Sequence, residues 1–298
     1  ILITLGAQNA LWLSTQILLT QRRKAIIENP CYPALLDILS QSRCNIEAVD
    51  VDNQGLPPEK LADDINVIFT TPSHHCPTAA TMPLSRRKRL LAKAQELDAI
   101  IVEDDYEFEM SFLEPALPAL KSLDNDGRVI YVGSFSKSLF PGMRLGYLVG
   151  PAPFIKEARA LRASVFRHPP GHIQRTAAYF LSLGHYDALI KRMSKQYEER
   201  YLEMEKSLTK FDLTIAGKAQ HGGSSFWVET PKFTNAVKLA QKLLEMDVVI
   251  EPGDPFFVGE NHPKNFIRLA YSSISTNKIA AGVELIAKAI SDTGPITA

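Results

Sequence analysis

Short apolar runs alternate with helical stretches along the first half of the chain, and this constrains the fold more than any other feature. Ala99-Ile-Ile-Val-Glu103 is apolar almost throughout, and Lys24–Glu28, Asn66–Thr70, Arg128–Gly133 and Leu145–Gly150 read the same way. Ile1–Leu5 and Ile46–Val51 are also strand-like. A strand that is apolar on both faces must be covered on both faces, which is the condition of a parallel sheet flanked by helices. The intervening stretches supply the cover. Ala10–Leu19, Tyr32–Leu39 and Leu84–Leu97 carry the apolar period of helices, and Gly55-Leu-Pro-Pro58 reads as the start of a short one. The spacing predicts an α/β fold with a mostly parallel, mixed sheet and helices on both faces.

After Pro151 the pattern changes. Phe154–Phe166 and Gly171–Leu181 read as helices separated by His168-Pro-Pro-Gly171, and Gly184–Leu208 as one long helix. Strand-like segments follow at Leu213–Ala216, Ser224–Glu229, Val248–Glu251 and Phe266–Ala270, with helices at Thr234–Leu244 and Thr276–Ser291. This is a smaller α+β unit. The expected division is residues 1–184 as a large domain and 185–298 as a small C-terminal domain that begins with the long helix.

Charge and cysteine content exclude several functions. The 33 basic residues balance the 33 acidic ones, so nothing global favours nucleic acid. No apolar run has the length of a membrane span. Cys31, Cys44 and Cys76 have no metal-ligand spacing, and no metal is expected; a reducing, cytoplasmic setting is. No secretory leader is expected. The chain opens without Met, directly in an apolar segment, and reads as a piece of something longer.

The chemistry centres on Lys137. Ser134-Phe-Ser-Lys-Ser-Leu-Phe-Pro-Gly-Met-Arg144 puts an amine, hydroxyls and a guanidinium on one loop between two apolar strands. A lysine so placed can lose its proton by desolvation and attack an aldehyde. Ser134, Ser136 and Arg144 suit a phosphate. An aldehyde and a phosphate on one small molecule is pyridoxal 5′-phosphate.

Other segments add to this set. Asp104 and Tyr106 follow an apolar strand at its carboxyl end, where ligands of parallel sheets gather. A buried carboxylate there keeps a pyridine nitrogen protonated, and the tyrosine can hydrogen-bond the ring oxygen. Gly6-Ala7-Gln8 precedes a helix, and its amides suit a phosphate; alone, the same pattern is also that of a plain turn. Tyr32, at a helix start, is positioned either to stack on a ring or to pack in the core. Arg268 sits inside an apolar strand and needs an anion, either a ligand carboxylate or a structural partner. His74 and His75 are loop residues without a metal set, His75 being within reach of a cofactor.

Taken together, these residues resemble fold-type I pyridoxal-phosphate enzymes of the aspartate aminotransferase superfamily, over nearly the whole chain. The resemblance is strongest to the aminotransferase-like domain of MocR/GabR-type transcriptional regulators of the GntR superfamily. It is carried by Thr71-Pro-Ser-His-His-Cys-Pro-Thr78, Glu103-Asp-Asp-Tyr-Glu-Phe-Glu109, Gly127–Lys137 and the helix from Gly184. It implies a seven-stranded sheet and Lys137 as the Schiff-base lysine. It implies Asp104 on the pyridine nitrogen, Tyr106 on the ring oxygen, and Ser134, Ser136, Arg144 and the amides of Ala7 and Gln8 on the phosphate. Tyr32 would stack on the ring and Arg268 would take a ligand carboxylate. The family's Asn-Pro-x-Gly is here Cys76-Pro-Thr-Ala79, a weaker partner for the ring oxygen, which suits a sensor better than a full transaminase. The expectation is an effector domain that senses an amino acid or amine as a homodimer, with DNA bound only through a domain outside this chain. A working aminotransferase is the alternative.

Overall fold

The computed structural model describes residues 1–217 and 219–294. Seven strands form one sheet: β1 (Leu2–Thr4), β2 (Lys24–Asn29), β3 (Asn45–Asp50), β4 (Val67–Thr70), β5 (Ile100–Asp105), β6 (Val129–Ser134) and β7 (Gly146–Val149). Their order is β1-β7-β6-β5-β4-β2-β3. The pairs among β2 to β6 are parallel, while β7 runs antiparallel to both β6 and β1. Parallel neighbours need long crossovers, and the helices provide them. The β6–β7 link is only a loop, so β7 returns antiparallel and the Lys137 loop lies at the end of the sheet.

Successive residues of each strand enter opposite cores. Ile26, Ile68, Ile101 and Val129 pack beneath α3 (Leu84–Glu96) and α4 (Leu120–Leu123). Their neighbours Ile27, Phe69, Val102 and Ile130 pack with α1 (Gly6–Leu18), α2 (Pro33–Ser40) and α5 (Ala152–Phe166). The period-two alternation with both sides covered is why these strands read as continuous apolar runs. Each fully buried Ile or Leu contributes roughly 1.5–3 kcal/mol.

α6 (Gly171–Ser182) packs Ile173 and Ala177 on Met143 and Leu145, bracing the Lys137 loop. α7 (His185–Lys210) leads into a second, antiparallel sheet of β8 (Thr214–Ile215), β9 (Ser225–Glu229), β10 (Glu251–Pro252) and β11 (Phe266–Ala270), in the order β10-β11-β9-β8. Its core, shared with α8 (Ala236–Leu244) and α9 (Thr276–Asp292), is partly aromatic: Tyr201 stacks on Phe226 at 4.8 Å, and Tyr271 donates its hydroxyl to the Gly223 carbonyl at 2.7 Å. Among the described residues, no helix is long and apolar enough to cross a membrane.

Three local expectations change. The strand expected at Val248–Glu251 pairs only at Glu251–Pro252, because Val249 points to solvent at 80% exposure. The helix expected from Gly55 is a single 3₁₀ turn, Pro58–Lys60, after which the chain is extended at Leu61; Leu56, Leu61 and Ile65 all reach the core. Helix α4 was not foreseen. Its first N–H groups are capped from a distance, Leu120 N and Lys121 N donating to the Glu103 carboxylate at 2.7 and 2.8 Å.

Candidate functional site

A cleft of about 630 Å³ lies between the end of the large sheet and the small one. Its floor is set by alternation along β5. Glu103 and Asp105 share one face: Glu103 caps α4, and Asp105 accepts from the Tyr131 hydroxyl at 3.2 Å. Asp104 therefore points the other way and lines the cleft. Its Oδ1 is buried with no hydrogen-bond partner among the described residues. Burial, and then the charge of Glu28, push its carboxyl up to about 7.

Glu28, at the end of β2, is better satisfied. It accepts from Thr70 Oγ1 at 2.7 Å, Thr71 Oγ1 at 2.8 Å and Thr71 N at 3.0 Å. His75 Nε2 is 3.4 Å from it, without the alignment of a hydrogen bond. Burial alone would raise the Glu28 carboxyl; attraction from His75 and the threonine bonds outweigh it and hold Glu28 below the usual carboxylate range.

At one end of the cleft, α1 begins on Gly6 at φ +79°. Leu5 provides no side-chain cap and the first turn has no acid, so the first N–H groups keep their partial positive charge. Ala7 and Gln8 line the cleft beside Ser134, Ser136 and Arg144. A methyl on Gly6 would sit 3.1 Å from Arg144 Nη2, and one on Gly146 would meet the Gly6 backbone at 2.7 Å. Glycine at both positions lets the guanidinium and strand β7 close on the helix start. Ser136 N donates to Ser134 Oγ at 3.1 Å, which curls the loop.

Lys137 lines the cleft with Asp104 and Tyr106. Its loop is braced by Tyr186, which donates to Ser138 Oγ at 2.9 Å and also contacts the Glu109 carboxylate. Burial, then the charge of Glu107, raise the Tyr106 phenol well above its ordinary value, so it remains a neutral donor. Tyr32 caps α2 without a side-chain bond and lines the cleft. Burial pushes the Cys76 thiol up to about 12, so it stays protonated. From the small sheet, Arg268 on β11 lies opposite Glu251 on β10, with Nη1 2.7 Å from Oε2, and both line the cleft.

The cleft thus brings together Ala7, Gln8, Tyr32, Asp104, Tyr106, Ser134, Ser136, Lys137, Arg144 and Arg268, with Gly6 directly behind Arg144. His75 is placed differently from the expectation. Its side chain has no exposure, Nδ1 is 2.7 Å from Thr78 Oγ1 and Nε2 faces Glu28, so it stands behind the floor and does not line the cleft. Glu28, Glu251 and Gly146 were not foreseen. An acid at the end of an apolar strand is the same signal that singled out Asp104, and it marks Glu28 as well.

The donor set fits pyridoxal 5′-phosphate: an orphaned buried carboxylate for a protonated ring nitrogen, an amine, and an uncapped helix start with an arginine for a phosphate. A sheet of this order with a lysine loop between β6 and β7 defines an aminotransferase-type protein. The chain belongs to the class I and II aminotransferase family, whose model matches residues 1–286. It is 53% identical over 290 residues to the HTH-type transcriptional regulator TauR of Rhodobacter capsulatus, covering 97% of this chain and 60% of that protein. It therefore spans well under two thirds of the regulator. It is 29% identical to aromatic-amino-acid aminotransferase 1 of Thermococcus litoralis, over 98% of this chain and 72% of that one. Among solved structures, the kynurenine aminotransferase of Pyrococcus horikoshii, in complex with PMP, superposes with a TM-score of 0.91 at 29% identity, over 97% of this chain and 74% of that one. LysN, the α-aminoadipate aminotransferase of Thermus thermophilus, complexed with N-(5′-phosphopyridoxyl)-L-leucine, also gives 0.91, at 28% identity over 98% and 77%.

Proposed function

We propose that this chain is the pyridoxal-phosphate-binding effector domain of a MocR/GabR-type transcriptional regulator, sensing a small amino acid or amine by exchange at Lys137. The observation that carries this is one cleft lined by Lys137, Arg144 and an Asp104 whose Oδ1 has no hydrogen-bond partner among the described residues. The likeness to a regulator over nearly the full chain directs the reading towards sensing. Bound in the cleft, pyridoxal phosphate supplies an aldehyde that condenses reversibly with primary amines and a ring that withdraws electrons.

The chain's residues do the rest. Lys137 offers its Nζ as the resident amine. Asp104 holds a proton on the ring nitrogen, and Tyr106 donates to the ring oxygen. Ala7, Gln8, Ser134, Ser136 and Arg144 hold the phosphate, and Tyr32 covers a ring face. Arg268 takes the acid group of an incoming ligand. Cys76, a protonated thiol, is a weak donor where aminotransferases carry an amide, which favours binding over rapid turnover. Arg268 belongs to the small sheet and Lys137 to the large one. A ligand held by both prefers one arrangement of the two units, and only that difference in affinity can move an attached domain. DNA contact belongs to a segment outside this chain, and the working form is a homodimer.

An active aminotransferase acting on an amino acid and a 2-oxo acid is the second reading. It is favoured by the presence of Lys137, Asp104 and Arg268 together in one cleft. The test is spectroscopic. The protein supplied with cofactor is expected to be coloured, borohydride to fix the cofactor to Lys137, and Lys137→Ala to be colourless. Amino acids are then added. Conversion to the pyridoxamine form indicates transamination, whereas a stable ligand-bound spectrum indicates sensing. A colourless wild-type protein that borohydride does not label overturns both readings.

A further inference from the structure

We propose that Glu251 is a built-in competitor for the acid group of the ligand: it occupies Arg268 until a ligand carboxylate displaces it, and it selects against ligands that carry a second acid. The inference rests on the reading of Arg268 as the acid anchor.

The guanidinium has limited donors to offer. Arg268 Nε is buried without a hydrogen-bond partner among the described residues, so a molecule in the cleft meets the two terminal nitrogens, and Nη1 is already held by Glu251 Oε2 at 2.7 Å. The two partners differ in freedom. The Arg268 side chain is 11% exposed and that of Glu251 51% exposed, so the acid can swing into water while the arginine stays. A ligand carboxylate then replaces one anion with another, and the charge at Arg268 is unchanged.

The remaining charges in the cleft set the selectivity. Among the described residues, the cations lining it are Lys137, Arg144 and Arg268. Lys137 is the resident amine and Arg144 lies against the helix start, so of these three Arg268 is the one left for an acid. The carboxylates lining it are Asp37, Asp104 and Glu251. A ligand with one amine and one acid finds a partner for each. A second acid meets Asp37 and the displaced Glu251, and like charges repel. An amine with no acid leaves the Glu251–Arg268 pair intact.

The experiment titrates L-alanine, L-glutamate and n-propylamine into the full-length, cofactor-loaded protein and reads affinity from the cofactor absorbance. Wild type is expected to bind alanine more tightly than glutamate. Glu251→Gln is expected to strengthen alanine about tenfold, the worth of one charge-assisted hydrogen bond, to strengthen glutamate more, and to leave propylamine unchanged. Glu251→Ala, a second variant, is expected to shift in the same direction. Alanine affinity that is unchanged or weaker in both variants overturns the inference, since a weaker value means that Glu251 merely holds Arg268 in place. An equal gain for propylamine overturns it too. Failure of borohydride labelling at Lys137 in wild type is a different result: it removes the underlying reading, and this inference with it.

Discussion

The floor and the roof of the cleft handle buried charge in opposite ways. On the floor, Asp104 is buried, has no hydrogen-bond partner at Oδ1 among the described residues, and has a second carboxylate, Glu28, nearby. In the roof, Arg268 already has its counter-ion in Glu251. A site left unsatisfied is prepared for a permanent resident that brings the missing charge. A site already satisfied suits a visitor, which must compete and can leave. The contrast matches a tightly held cofactor below and an exchangeable ligand above.

The strongest challenge to that contrast is at Lys137. Lys137→Ala is expected to abolish borohydride-stable labelling entirely, checked by intact-mass measurement. Next is Asp104. In the cofactor-free protein its carboxyl stands at about 7 against an ordinary 3.8. The folded state then holds a proton that the unfolded state releases. The contribution of Asp104 to stability is therefore fullest below about pH 4 and is lost as pH rises to about 7, by on the order of 4 kcal/mol at most. Asp104→Asn is expected to flatten this slope in cofactor-free thermal melts, and to weaken cofactor binding by about a hundredfold. A floor that is not frustrated would show the same slope in both proteins.

Arg268→Ala tests the roof. It is expected to weaken amino-acid binding by about tenfold or more while leaving cofactor loading and n-propylamine binding near wild type, measured by absorbance titration. A matching loss of cofactor would erase the distinction between resident and visitor. Gly6→Ala has a smaller effect. The φ of +79° and the 3.1 Å approach to Arg144 Nη2 cost about 1 kcal/mol, seen as a several-fold weaker affinity for cofactor. Smallest is Glu28→Gln, which removes the like charge beside Asp104 and is expected to move the upper end of the pH slope below 7.

The sheet was legible because its strands are covered on both sides, so alternating residues such as Ile101 and Val102 are apolar regardless of the core they enter. Residues of the floor were legible for a related reason: chemistry-bearing side chains at strand ends interrupt apolar runs. Helix α4 was not, because its cap, Glu103, is 17 residues away in sequence. Glu251 was hidden by the same kind of distance. Its importance comes from its register with Arg268 across two strands, and no local window contains that pairing. The side-chain direction of His75 was not legible, because a loop residue carries no periodicity to set its face; the turn sends its ring towards Glu28 and Thr78.

The segment that follows Glu251 reaches back to the large sheet: Cys31 N donates to the Phe256 carbonyl at 2.8 Å, and Val258 N donates to Asn29 Oδ1 at 3.0 Å. Phe256 in turn meets Trp227 edge-on at 5.7 Å, and Trp227 stacks on Phe266 at 5.3 Å. One of the chain's two tryptophans is thereby wired to the strap that joins the halves. A shift of that strap would change the surroundings of Trp227, so its fluorescence is expected to report the movement without any label.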